Sequence, residues 1–238
     1  MEYNFKPFTD ELEKLSITLS ENQLKQFSMY YEMLIEKNKV MNLTAITEFD
    51  EVLEKHFLDS ISLIRAKDLH QPITVLDLGT GAGFPGIPLK IVFPELKVTL
   101  ADSLNKRVLF LQEVIDKLEL HDIKAIHGRA EDLARDKEYR EQYDLCVSRA
   151  VANLSTLTEY CLPFVKLGGE FISYKSGDCA DEVTAAKSAV FLLGGKVKEN
   201  IKFELGESGR SFIIIEKVKG TPKTYPRKAG TPSKKPFM

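Results

Sequence analysis

The chain has 238 residues, a formal net charge of −2 and 43% apolar residues. That length suffices for one α/β domain with an appendage, and no apolar run approaches bilayer-spanning length. Three widely spaced cysteines (Cys146, Cys161, Cys179) and four histidines without ligand spacing argue against a disulfide framework or a metal site.

The opening residues, Met1 to Lys6, lack the basic-then-apolar layout of a signal peptide, so a cytoplasmic protein is expected. Residues 1–70 read as a helical N-terminal extension. Ser20-Glu21-Asn22-Gln23 is a capping box. Leu24, Phe27, Tyr31, Leu34 and Ile35 then repeat at helical spacing. Asn42 to Thr47 interrupts the pattern, and Thr47 is placed to cap a second helix carrying Val52, Leu53, Phe57, Ile61 and Ile64. His56 and Asp59 share a face of that helix at i and i+3, which suggests a buried His–Asp hydrogen bond rather than catalysis.

Ile73 to Leu78 is an apolar, β-branched run that reads as a buried strand. Gly79, Gly81, Gly83 and Gly86 follow it. Glycine permits a sharp turn at positive φ and close approach of a ligand. Pro85 and Pro88 suit the first turn of a helix. Strand, glycine loop and helix start together make a site for a charged ligand group. Two ligand classes use it. Gly81-x-Gly83-x-x-Gly86 fits a dinucleotide pyrophosphate. Asp77-x-Gly79-x-Gly81-x-Gly83 fits the methionine end of S-adenosyl-L-methionine (SAM) better, because a carboxylate at the strand end suits an ammonium group and repels a pyrophosphate.

Leu96 to Ala101 reads as a second strand ending at Asp102, which lies 19 residues past Gly83, near the spacing of a ribose-binding acid. Ser103 or Asn105 is available to cap the amphipathic helix Asn105 to Leu118. Ile123 to His127 is a third strand, and the loop after it offers Ala130 and Glu131 to the adenine. Tyr143 to Ser148 is a fourth strand running into Arg149-Ala150. Ligands lie beyond the C-terminal ends of such strands, so Arg149 is placed for the SAM carboxylate or an RNA phosphate. A helix from Leu154 to Leu167, a fifth strand Glu170 to Lys175 and a helix Asp181 to Leu193 follow. Val197 to Leu205 and Ser211 to Val218 form a hairpin through Gly206 and Gly209, which makes the last strand antiparallel. The expected architecture is α/β: a SAM-dependent methyltransferase (Rossmann-like) fold over residues 71–218, with a seven-stranded, mostly parallel sheet.

Residues 219–238 hold six basic side chains (Lys219, Lys223, Arg227, Lys228, Lys234, Lys235) and no acid. Setting those six aside leaves −8 on the body. A basic tail on an acidic body suggests contact with a polyanion, although charge alone fits a solvated tail equally well. Its prolines and lysines predict an extended segment without a core.

Lys55-His56-Phe57-Leu58-Asp59-Ser60, the Asp77–Gly86 loop, Asp102-Ser103-Leu104-Asn105-Lys106-Arg107, Ser148-Arg149-Ala150 and Thr224-Tyr225-Pro226-Arg227-Lys228-Ala229-Gly230-Thr231-Pro232 together resemble the RsmG family, also called glucose-inhibited division protein B. The likeness spans nearly the whole chain. It implies transfer of a methyl group from SAM to N7 of a guanine in the 530 loop of 16S rRNA, customarily nucleotide 527. It also implies cofactor contacts at Gly79 and Phe84, at Asp102, Ser103 and Leu104, at Ala130 and Glu131, and at Arg149. No catalytic base and no metal are implied. Lys90, Arg149, Lys175, Arg227 and Lys228 are the expected RNA track, on naked rRNA, the 30S subunit or an assembly intermediate, and the protein is expected to be a monomer. The competing readings are an NAD-dependent oxidoreductase, resting on Gly81-x-Gly83-x-x-Gly86 and Asp102, and a non-enzymatic RNA-binding assembly factor. Methylation of another substrate, a protein or a small molecule, is a third.

Overall fold

The computed structural model describes residues 3–149 and 152–237. Seven strands form one sheet: β1 (Thr74–Leu78), β2 (Lys97–Asp102), β3 (Ile123–His127), β4 (Tyr143–Arg149), β5 (Val165–Ser176), β6 (Gly195–Leu205) and β7 (Ser208–Lys217). Their spatial order is β3-β2-β1-β4-β5-β7-β6. β7 runs antiparallel to both neighbours, while the other pairings are parallel. The chain winds outward from β1 in one direction and from β4 in the other. Their C-terminal ends therefore meet at a topological switch point, where ligands of such sheets bind.

Side chains along each strand alternate between two cores, as a two-residue repeat requires. Val75, Leu145, Val147, Ile172 and Ile214 face the N-terminal helices. Leu76, Cys146, Phe171, Ile213 and Ile215 face the helices Leu154–Cys161 and Ala180–Leu192. All three cysteines are buried and free. Among the described residues no helix is long and apolar enough to cross a membrane.

The N-terminal residues form a layer over one face of the sheet. Lys6–Glu13 and Glu21–Met41 are helices, and the second begins with the full capping box of Ser20 and Gln23. Phe8, Phe27, Tyr30 and Phe57 pack there as an aromatic cluster. The next helical run starts at Phe49, with Glu48 at its N-cap and no side-chain cap. Thr47 does not cap it; its carbonyl accepts from the Tyr31 hydroxyl at 2.9 Å. The run widens into a π-helical stretch over Leu53–Leu58, a form common at functional sites.

Two boundaries also differ from the sequence reading. The helix expected to reach Leu167 ends at Cys161, because Pro163 opens a short 3₁₀ turn, Leu162–Phe164. The residues after it join β5, which passes through Gly168 at φ +78°. The tail is not a coreless extension. Thr221, Pro226 and Pro232 are buried, and Arg140 donates to the carbonyls of Thr221 and Tyr225.

Candidate functional site

The glycine loop is held from two sides. On the sheet side, Asp77 is fully buried. Its Oδ2 accepts from the Thr80 hydroxyl at 2.6 Å and from the Gly86 N–H at 2.8 Å. The carboxylate thus ties the two ends of the loop together instead of standing at the ligand, which corrects the idea that it meets an ammonium group directly. Its Oδ1 is buried with no partner. Burial raises its pKa to about 6 despite these two donors. On the helical side, the Tyr30 hydroxyl donates to the Ala82 carbonyl at 2.7 Å. Gly79, Gly81 and Gly83 all sit at positive φ, where glycine is favoured.

A cleft of about 560 Å³ opens at the switch point. Gly79 of the loop, Asp102, Ser103 and Leu104 at the tip of β2, Ala130 and Glu131 after β3, and Arg149 at the end of β4 all line it. These are seven of the sequence candidates, drawn from four strand ends. Asp102 organises the centre: its Oδ2 accepts from Gly81 N–H at 3.0 Å and its Oδ1 from Leu104 N–H at 2.9 Å. Arg107 stands 3.4 Å from the same carboxylate. Asp77, Gly81, Gly83 and Phe84 are not among the lining residues. Phe84 is 6% exposed and points into the N-terminal layer, stacked on His56 at 4.5 Å. The cleft also contains residues that the sequence reading did not select: Arg107, Tyr160 and, from the tail, Gly230 and Ser233.

A second cavity of about 500 Å³ adjoins the first through Arg149, which lines both. Lys55, His56, Asp59, Lys175, Glu182 and Arg210 surround it. The expected His56–Asp59 hydrogen bond does not form, because two arginines come between. Asp59 accepts from Arg149 Nη1 and from Arg210 Nε, each at 2.8 Å. Arg149 Nη2 lies 3.3 Å from His56 Nδ1. A guanidinium has no lone pair, so Nδ1 must be the acceptor and the ring proton sits on Nε2, 2.8 Å from the Thr44 hydroxyl. The nearby Lys55 carbonyl takes its proton from Arg149 Nη1 instead, at 3.1 Å. Burial, then the Arg149 charge, pushes the His56 pKa down to about 4. The guanidinium also lies over the Phe84 ring at 5.1 Å. Arg149 is therefore fixed from several directions at the junction of the two cavities. Ala150, next in the Ser-Arg-Ala motif, lies outside the described residues.

The expected RNA track divides. Lys175, near the end of β5, is half-buried, and its ammonium donates to the Ala152 carbonyl at 3.1 Å and to Glu182 at 2.6 Å. Lys228 is exposed. Lys90 is 3% exposed, and its ammonium donates to the carbonyls of Pro94 and Leu96. It closes the end of its own helix and offers nothing to RNA. Arg227 is turned inward onto Glu159, which is 0% exposed. A buried carboxylate needs a paired cation, and that requirement removes Arg227 from the track.

Residues 23–211 match the family model described as GidB, rRNA small subunit methyltransferase G. The chain belongs to this family. Relatives named ribosomal RNA small subunit methyltransferase G include those of Lachnoclostridium phytofermentans, 54% identical over 97% of this chain and 96% of the relative, and Alkaliphilus metalliredigens, 52% identical over 96% of both. A relative of that name from Bacillus cereus is 51% identical over 98% of this chain and 99% of its own. Among solved structures, TrmN from Thermus thermophilus matches with a TM-score of 0.53 at 18% identity, over 70% of this chain and 53% of that one. A SAM-dependent methyltransferase from Aquifex aeolicus matches with 0.52 at 20% identity, over 69% and 92%. These likenesses place the family's sheet among methyltransferase folds. A dinucleotide oxidoreductase is excluded by the family match and by the hairpin that puts antiparallel β7 beside β5.

Proposed function

We propose that this methyltransferase transfers the methyl group of SAM to N7 of a guanine in the 530 loop of 16S rRNA. The observation that carries the reading is the pair of adjoining cavities sharing Arg149: the residues of the first would hold the cofactor and those of the second would hold the base beside it. The donor set suits the cofactor. Asp102 offers a carboxylate to the ribose hydroxyls. Gly79, without a side chain, would leave room for the methionine end. The short Ala130–Leu133 helix begins with no side-chain cap, so its first N–H groups are free for the adenine ring nitrogens.

SAM supplies an electrophilic methyl group on a sulfonium. Guanine N7 carries a lone pair and no proton, so the chain needs no general base. His56 fits that requirement: it is neutral and both ring nitrogens are engaged. What the chain contributes is in-line positioning and charge balance as the base becomes cationic. Asp59 and Glu182 partly offset the Arg149, Lys175, Lys55 and Arg210 charges that line the same cavity, Asp59 paired with both arginines and Glu182 with Lys175. In A-form RNA the major groove that holds N7 is deep and narrow, so the target should be a loop base or one made reachable by distortion.

Arg149, Lys175 and the exposed tail lysine Lys228 are the proposed RNA contacts. Log affinity should fall with log salt by roughly 0.7 to 0.9 per phosphate contacted. The proposed setting is a cytoplasmic monomer acting on rRNA or a 30S particle without a metal. The test is tritium transfer from labelled SAM to rRNA or 30S particles from a strain lacking the gene, with borohydride/aniline mapping of N7-methylguanine. One cleavage in the 530 loop supports the reading. SAM binding without transfer to either substrate refutes the assigned target. Neither binding nor transfer favours an assembly factor.

A further inference from the structure

We infer that residues 221–235 are a strap that closes the adenine end of the cleft and helps to hold the cofactor. This rests on the methyltransferase reading above and goes beyond it by giving the tail a cofactor-binding role.

The strap is anchored at successive points. Thr221 N–H donates to Glu141 at 2.8 Å, and its hydroxyl donates to the Leu193 carbonyl at 2.7 Å. Arg135 donates to the Pro226 carbonyl at 2.5 Å. The central latch is Arg227 on Glu159. Backbone N–H, Nε and Nη2 of Arg227 reach that carboxylate at 2.7, 3.0 and 2.7 Å. The guanidinium lies 3.9 Å from the centre of the Phe237 ring, which packs edge-on to Tyr225. Three residues further on, Gly230 N–H donates to Glu131 Oε1 at 2.7 Å. Gly230 and Ser233 then form part of the cleft lining.

A polyanion-binding arm gains nothing from burying a carboxylate to fix its backbone, since desolvating a charge is costly. A cofactor wall does gain, because the position of Gly230 sets the position of Glu131 and of the backbone beside it. Glu131 spends its carboxylate on the strap, which leaves its backbone N–H as the group available to the adenine. Strap closure and cofactor affinity are then coupled, and the coupling is reciprocal. SAM must protect the strap, and releasing the strap must weaken SAM binding.

The test is calorimetric titration of the full chain with SAM, without RNA, for wild type, Arg227→Met and Ser233→Phe. Trypsin digestion of wild type with and without SAM accompanies it, reading cleavage at the exposed Lys228 and Lys234 by mass spectrometry. Both variants should bind SAM at least about tenfold more weakly, and SAM should slow strap cleavage in wild type. Ser233 is exposed, so Ser233→Phe keeps the fold and decides the matter if Arg227→Met does not fold. SAM affinity within about twofold of wild type in Ser233→Phe, or strap cleavage indifferent to SAM, overturns the inference while leaving the methyltransferase reading intact. Wild type that binds no SAM overturns both.

Discussion

Alanine at three of the loop glycines should separate the two uses of glycine in this motif. At Gly81, φ is +62° and an added Cβ meets nothing within 4 Å. The cost of Gly81→Ala is then the left-handed backbone alone, about 1 kcal/mol. At Gly83, φ is +110°, and a Cβ would lie 2.5 Å from Ile87 Cδ1 and 2.7 Å from the Tyr30 hydroxyl. Tyr30 cannot move aside cheaply, because it stacks on Phe57 and donates to Ala82. Backbone strain and overpacking add there, giving about 4 kcal/mol. At Gly86, φ is ordinary, but a Cβ would stand 2.3 Å from Leu100 Cδ2 and 2.9 Å from Asp77 Oδ2, which costs about 2 kcal/mol by overpacking. For a chain of this size each kcal/mol lowers Tm by roughly 2–4 °C. Thermal unfolding should therefore rank the losses Gly83→Ala, then Gly86→Ala, then Gly81→Ala, with the first at about 10 °C or more. Gly79, which lines the cleft at φ +73°, should instead lose SAM affinity when changed to alanine. A Gly81→Ala protein as damaged as Gly83→Ala would refute the division.

Lys90→Met should lower stability by about 2 kcal/mol, since the buried Leu96 carbonyl and the Pro94 carbonyl lose their donor; urea unfolding reports this, and a changed salt slope of RNA binding would contradict the buried placement of Lys90. Asp102→Asn should weaken SAM binding about tenfold or more by calorimetry, because an amide cannot accept from both Gly81 and Leu104 N–H groups; unaltered affinity would remove Asp102 from the site. His56 is held neutral in the fold, with its pKa lowered from 6.5 to about 4, so its contribution is present above pH 6.5 and is lost as pH falls toward 4, by up to roughly 3 kcal/mol. Asp77, raised from 3.8 to about 6, acts in the opposite sense: the fold holds its proton more tightly, and that stabilisation is lost as pH rises through 6. Urea unfolding of His56→Gln should therefore show stability rising as pH falls through this window, where wild type stays flatter; parallel curves would show that His56 does not titrate as described.

The sheet was legible because its strands are short apolar β-branched runs ending at Gly, Asp or Arg, and Asp102 and Arg149 were found by standing at those ends. Positions that depend on distant partners were not legible. His56 and Asp59 look like a pair on a helix face, yet Asp59 is claimed by Arg149 and Arg210, which lie 90 and 151 residues away. Lys90 reads as a surface lysine because its sequence does not reveal that two carbonyls face it. The tail's composition describes an extended chain, and nothing local shows that Glu159, Glu131 and Arg140 are waiting for it. Gly230 and Ser233 reach the cleft only through that docking.

The helical layer also imposes a timetable. It is synthesised first, yet several of its partners come near the end: Arg65 lies over the Phe203 ring, the Glu54 side chain packs against Gly206, and Asp59 pairs with Arg210. At ribosomal rates of roughly 5–20 residues per second, the layer waits on the order of ten seconds before β7 exists. Through that interval Asp59 lacks Arg210, and Phe8, Phe27 and Phe57 have only the earlier strands to cover. Assembly is therefore dictated by the arrival of the hairpin, and the nascent chain presents an unfinished aromatic face until then.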